Sequence, residues 1–192
     1  MPSVIEQRIS VKGSTSDGTS LSMASARVHK TSFNQGQLGR TGGQLDVAIE
    51  GDGFFKVSTS ANGDFYSRAG NFGINSVGNL VMGSAHKGWV LEPPINIPQE
   101  AIDVAISGDG QVQYRTSGQA ALQTAGQIQL ANFINPDGLL KVGDNLYQQT
   151  DASGAEILGN PSDPGFGVLA QGALEASNVE PVQELIDLIT TH

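Results

Sequence analysis

From residue 33 onward the chain alternates short apolar–polar runs with clusters of turn residues, spaced roughly 8–12 positions apart. Val47, Ile49, Phe55 and Val57 alternate with smaller or polar neighbours, a period-two pattern that predicts strands, and Gly51-Asp52-Gly53 breaks it with a turn. After a second turn at Asn62-Gly63-Asp64, the run FYSRAGNFGI from Phe65 predicts one further strand. Val77-Gly78-Asn79 turns the chain again before Leu80-Val81-Met82. Trp89-Val90-Leu91 predicts a short strand that Pro93-Pro94 stops, because proline cannot donate to a ladder. AIDVAISGDGQVQY follows from Ala101, and GQIQLANFI (126–134) alternates most cleanly of all before the turn Asn135-Pro136-Asp137-Gly138. The expected fold class is mainly β: a single β-rich domain of short antiparallel strands, with the turn spacing of a sandwich or barrel.

The two ends have a different texture. Residues 1–32 are rich in Ser, Thr and Gly and predict an extended or irregular connecting segment. Within it, Ile9 and Val11 suit a short strand, and Lys12 to Ser20 a loop turning at Asp17-Gly18. At the other end Ser177-Asn178 offers a helix cap and Pro181 suits a first turn. Val182, Leu185, Ile186 and Ile189 then fall at i, i+3, i+4 and i+7, one apolar stripe. Two turns of helix are marginal alone, so the expectation is the start of a longer helix that has been cut. The expected division is a connecting segment over 1–32, a β-rich core domain over 33–176 and the beginning of a C-terminal helix over 177–192.

One unit occurs twice. LDVAIEGDGFFKV (45–57) and IDVAISGDGQVQY (102–114) share Asp46, Val47, Ala48, Ile49, Gly51, Asp52 and Gly53, which recur as Asp103, Val104, Ala105, Ile106, Gly108, Asp109 and Gly110. The unit predicts a strand with its Val and Ile turned to the core. The strand ends in a sharp turn where glycine takes positive φ and Asp bonds the local backbone. A weaker echo links Gln35-Gly36-Gln37-Leu38 with Gln171-Gly172-Ala173-Leu174, bracketing the β region. These segments are expected to lie side by side, bringing both ends of the domain together.

Composition narrows the function classes. Glycine is high at 25 residues, about twice the usual share. The formal net charge is -9, and the 10 Lys and Arg form no patch, which excludes nucleic acid and anionic membrane surfaces as partners. With no Cys there are no disulfides and no thiol nucleophiles. No apolar run has transmembrane length, and MPSVIEQRIS lacks the basic and apolar regions of a cleaved signal peptide. His29, His86 and His192 have no ligand-spaced neighbours, no G-x-S-x-G elbow is present, and no pair of carboxylates stands out. A calcium loop needs several oxygen ligands, whereas each Gly-Asp-Gly turn offers one carboxylate. The sequence therefore predicts no catalytic, cofactor-binding or metal site, no cofactor and no small-molecule substrate. Phe54-Phe55 could serve a secreted carbohydrate-binding β domain, but adjacent strand residues face opposite sides, so at least one is expected in the core.

With these residues in view the chain resembles the flagellar axial proteins of bacteria, the rod and hook family. TGGQLDVAIEGDGFFKV (41–57) resembles the signature of that family, carried by Thr41, Gly42, Leu45, Asp46, Ala48, Ile49, Gly51, Asp52, Gly53, Phe54 and Phe55. FYSRAGNFGINSVGNLV (65–81) is similar to the stretch that follows it. ANFINPDGLLKVGDNLYQQTDASG (131–154), with Asn135, Pro136, Gly138 and Leu139, is nearest the pattern of the distal-rod branch, and GALEASNVEPVQELIDLI (172–189) resembles the start of the family's C-terminal helix. The resemblance implies a non-enzymatic subunit of the basal-body distal rod, with hook and proximal rod as alternatives. It implies self-assembly into a helical tube that transmits motor torque, through a stripe of Val182, Leu185, Ile186 and Ile189. The implied partners are further copies, neighbouring rod and hook proteins and the surrounding ring proteins. The implied location is the periplasmic basal body, reached by the flagellar type III exporter.

Overall fold

A computed structural model describes residues 3–7, 28–33, 35–59, 63–83 and 88–176. The expected strand at Ile9 and Val11, the Lys12–Ser20 loop and the Val182/Leu185/Ile186/Ile189 helix lie outside the described residues.

The regular secondary structure of the described residues is almost entirely strand, as the alternation predicts. β1 (Ser3–Gln7) and β2 (Val28–Ser32) pair antiparallel. β3 (Leu38–Arg40) and β4 (Val47–Glu50) lead into β5 (Phe54–Thr59) and β6 (Gly63–Ser67), which form a hairpin. β7 (Phe72–Ile74), β8 (Leu80–Met82) and β9 (Trp89–Leu91) form a meander that returns to β5. β10 (Ala101–Ile106), β11 (Gln111–Thr116) and β12 (Gln123–Gln127) make a separate three-stranded sheet. β13 (Leu130–Asn132) rejoins the large sheet beside β5. β14 (Leu140–Gly143) and β15 (Leu146–Gln148) extend that sheet past β6, and β16 (Ile157–Gly159) pairs β13. Finally β17 (Val168–Gln171) runs against β4, and β18 (Ala173–Glu175) runs against β3.

The large sheet is apolar on both faces. One face carries Phe55, Val57 and Phe65 into a core shared with Val47, Ile49, Leu80, Leu91, Ile95 and Ile97, and with Val104, Ile106 and Val112 of the small sheet. The other carries Phe54, Tyr66, Ala131 and Tyr147, closed over by Phe133 and Leu139, with Phe33 packed against them. The rings there meet edge to face: Phe33 lies 5.1 Å from Phe54 and 5.0 Å from Tyr147, and Tyr66 lies 4.8 Å from Phe133. Phe54 and Phe55 thus enter two different cores by the simple alternation of a strand.

Two runs read as single strands are broken. FYSRAGNFGI becomes β6 and β7, because Ser67 is fully buried and its Oγ donates to Asn145 O while accepting the Ala69 N–H, bending the chain. Gly70 then passes against β4, where Val47 N–H donates to Gly70 O at 2.9 Å. GQIQLANFI becomes β12 and β13, because the chain crosses from the small sheet to the large one at Ile128. The alternation survives the crossing, since Ile128 and Leu130 both enter the same core.

The duplicated unit also diverges. In the second copy Gly110 N–H donates to Ser107 O and Ser107 N–H to Gln111 O, with Gly110 at φ +88°, so β10 and β11 close as a tight hairpin. In the first copy both Gly51 (φ +109°) and Gly53 (φ +131°) are left-handed, and the chain leaves β4 for a different sheet.

A Cβ at Gly70 would stand 1.6 Å from Val47 O, whereas one at Gly73 meets nothing within 4 Å. We expect Gly70→Ala to cost about 3 kcal/mol or more and Gly73→Ala to stay within about 0.5 kcal/mol, read from urea midpoints at unchanged m.

Candidate functional site

The signature residues converge where both ends of the β region cross it. Thr41 Oγ1 donates to Asp46 Oδ2, and Gly43 N–H donates back to Thr41 Oγ1, a local Asp–Thr turn. The backbone N–H groups of Thr41 and Gly42 both donate to Gly172 O, and Gly172 N–H donates to Asp46 O. Leu45, Ala48 and Ile49 pack inward beside them. The echoed segments around Gln35 and Gln171 are laid together as expected: β3 and β18 pair, and Ala176 N–H donates to Gln37 O.

Beneath this crossing sits an ion pair that the sequence did not announce. Arg68 Nε lies 2.9 Å from Glu175 Oε2, with the side chains only 6% and 2% exposed. Arg68 also donates to backbone: Nη1 to Gly53 O at 3.0 Å and Nη2 to Gly51 O at 3.1 Å. Its guanidinium also lies over the Phe54 ring, 6.0 Å from the centroid. Glu175 Oε1 accepts the Gly36 N–H at 2.7 Å. Gln35 brackets the same turn, donating to Ile49 O and accepting the Gly51 N–H. A buried pair of charges is tolerable only when its other valences are met, and here they are met by the turn of the signature and by the incoming chain.

Gln171 ties the residue that precedes the first copy of the repeat to the second copy. Its Nε2 donates to Gln44 O and Val104 O, and its Oε1 accepts the Ile106 N–H. The Gly-Asp-Gly turns act as turns: Asp109 Oδ1 accepts Ser107 Oγ and the Gln111 N–H, which hold its carboxyl below the usual value. Asn135, Pro136, Gly138 and Leu139 form a second locked turn. The Gly138 and Leu139 N–H groups close a 3₁₀ turn over Pro136–Gly138, Asn135 Nδ2 donates to Ala152 O, and Thr150 Oγ1 donates to Gly138 O. Buried Ser153 completes it, so two separated motifs of the sequence are one structural knot.

On the outer part of the sheet Lys56 Nζ sits between Glu156 Oε1 at 2.7 Å and Asp64 Oδ2 at 3.0 Å, and Tyr66 OH donates to Glu156 Oε2 at 2.8 Å. Among the described residues no group of three or more His, Cys, Asp or Glu is placed to hold a metal ion. Among the described residues two shallow depressions lie at the surface, one beside Lys56, Asp64 and Glu92 and one beside Ile74, Ser76 and Gln99. Among the described residues no helix is long and apolar enough to cross a membrane.

Short antiparallel sheets joined by buried polar ties, with the two ends of the domain bound to each other, define a β-rich domain. Residues 48–114 match the family model described as the flagellar hook protein FlgE/F/G D1 domain, and residues 170–192 match that of the flagellar basal body rod FlgEFG protein C-terminal. The flagellar basal-body rod protein FlgG of Caulobacter vibrioides is 47% identical over 156 residues, 81% of this chain and 58% of the relative. FlgG of Bacillus subtilis is 39% identical over 164 residues, 84% of this chain and 60% of the relative. The flagellar hook protein FlgE of Salmonella typhimurium is 32% identical over 157 residues, 82% of this chain and 36% of the relative. The chain belongs to the flagellar rod and hook protein family, on the side of the rod proteins. It spans less than two thirds of the length of these rod relatives.

Three groups of the large sheet hold their protons more tightly than usual. Tyr147 is pushed up to about 12, first by burial and then by the Glu175 carboxylate. Tyr66 is raised by burial and by its bond to Glu156. For Lys56 burial acts downward, but the bonds to Glu156 and Asp64 outweigh it and its pKa rises. A group whose folded pKa is raised stabilises the fold fully below its unfolded pKa, and that contribution is lost as pH climbs through the folded value. The urea midpoint should therefore be flat up to about pH 9 and fall above about pH 10, where the unfolded phenols and lysine begin to titrate. Tyr147→Phe should make that fall shallower. A midpoint that holds to about pH 11.5 would contradict the assignment.

Proposed function

We propose that the chain is the β-rich part of a structural subunit of the flagellar basal-body distal rod, one that assembles with copies of itself into a helical tube carrying motor torque toward the hook. The observation that carries this reading is the 47% identity to a basal-body rod protein over 81% of the chain, against 32% to a hook protein over a similar span. The distal rod is favoured over the hook on that contrast, and on the Asn-Pro-x-Gly-Leu turn knotted to Thr150 and Ser153. Its role is mechanical rather than catalytic. A heterologous contact that does not close on itself generates a filament, and a subunit in such a filament needs a stiff body.

The partners on this reading are further copies, the neighbouring rod and hook proteins, and the ring proteins that surround the rod. The location is the basal body in the periplasm, and the route is the flagellar type III exporter. The stripe Val182, Leu185, Ile186 and Ile189 would face partner helices. A carbohydrate-binding role has less support, because Phe54 and Phe55, the pair that would make a sugar platform, are 2% and 0% exposed.

The chain joined to the flanking sequence that its rod relatives carry, purified and viewed by negative-stain electron microscopy, should form rods or tubes of uniform diameter. Persistent monomers at all concentrations and salt conditions would remove the polymer reading.

A further inference from the structure

The strand pair β3–β18 carries both ends of the β region, yet it is attached to the domain by little apolar burial. Leu38 is half-buried, Gly39 and Arg40 are exposed, Leu174 is half-buried, and Ala173 is the one buried hydrophobic residue that the pair supplies. What holds it is polar. Glu175 bonds Arg68 and the Gly36 N–H, Gln35 bonds Ile49 O and the Gly51 N–H, and Gly172 O accepts two amides from Thr41 and Gly42. Arg68, the opposite half of the lock, is anchored not on β3 or β18 but on the carbonyls of Gly51 and Gly53, in a turn fixed by both cores.

Apolar contacts weaken gradually as groups slide, whereas a buried ion pair has no intermediate position that satisfies both charges. Separating Glu175 from Arg68 by a few ångströms strands a guanidinium in a site that is only 6% exposed. We infer that the Arg68–Glu175 pair is a two-state latch that fixes the direction in which both ends leave the β domain, and that the β3–β18 ribbon opens as a unit when the latch is broken while the two cores stay closed. Arg68 and Glu175 are positioning residues on this account. The inference does not depend on which polymer the chain enters, because it concerns the isolated domain.

Amide hydrogen exchange of the chain under native conditions tests it. In Glu175→Gln, the amides of Thr41 and Ala176, whose acceptors are Gly172 O and Gln37 O rather than Glu175 itself, should exchange about tenfold faster or more. The amides of β5 and β9 should keep their protection. Acceleration at Gly36 alone would reduce the pair to one local hydrogen bond and overturn the latch, as would equal acceleration across the whole domain. If Glu175→Gln fails to fold, Glu175→Asp decides. It keeps the charge and shortens the reach, and should give a smaller acceleration confined to the same ribbon amides. Uniform loss of protection in that variant would also overturn the inference.

Discussion

The buried contact between Arg68 and Glu175 is the constraint on which the placement of both ends of the described β domain depends. It joins four stretches far apart in sequence: the incoming segment at Gly36, the signature turn at Gly51 to Gly53, the bend after β6 and the outgoing strand β18. Each stretch contributes a group that would otherwise be a costly orphan. Without Glu175, the guanidinium would be an uncompensated buried charge. Without Arg68, the carbonyls of Gly51 and Gly53 would lose their charge-assisted donors. Replacing such a pair with apolar residues can be neutral for stability, so its value is better sought in geometry. It admits one arrangement of the crossing chains and no sliding alternatives.

That geometry also explains why a chain with 15% charged residues and 25 glycines builds a well-defined body. The large sheet is covered on both faces by different clusters, so β5 is held from each side, and Phe54 and Phe55 cannot both be displaced by one local motion. The edge-to-face rings around Phe54 and Tyr147 fix that second face and seat Phe33, so the incoming chain is anchored by aromatic packing just before the polar latch takes over. Gln171 extends the same logic to the small sheet, since its amide spans the gap between Gln44, at the entrance to the first copy of the repeat, and Val104 and Ile106 of the second.

Much of the β architecture was legible in the sequence because alternation and turn chemistry are local. Val47 and Ile49, and their counterparts Val104 and Ile106, face the core as the period of two demands. The turns at Gly51-Asp52-Gly53 and Asn135 to Gly138 sit where glycine, proline and Asx chemistry place them. Pairing of the Gln35 and Gln171 segments was also legible, through their echo. What was not legible depends on contacts across the chain. Nothing local marks Arg68 as a buried cation or Glu175 as its partner 107 residues away. The breaks in the two long runs follow from Gly70 passing against Val47 and from Ile128 moving between sheets, and neither leaves a trace in periodicity. The two copies of the repeat share their strand and turn residues yet differ in pairing, because β4 pairs with β17 while β5 runs in the large sheet.

This divergence bears on what the repeated unit is for. As a duplicated ligand loop, both copies would be expected to present the same groups to the same kind of space. Instead the second copy turns Asp109 to its own backbone, and the first gives its carbonyls to Arg68. The Asp52 carbonyl accepts the Gly167 N–H and the Gly108 carbonyl accepts the Leu169 N–H, so one segment, the approach to β17 and β17 itself, stitches both turns. The unit is therefore a device for ending a strand in a rigid corner that a third strand can grip, used once to close a hairpin and once to redirect the chain. A domain made of such corners is tied together at the points where both of its ends emerge.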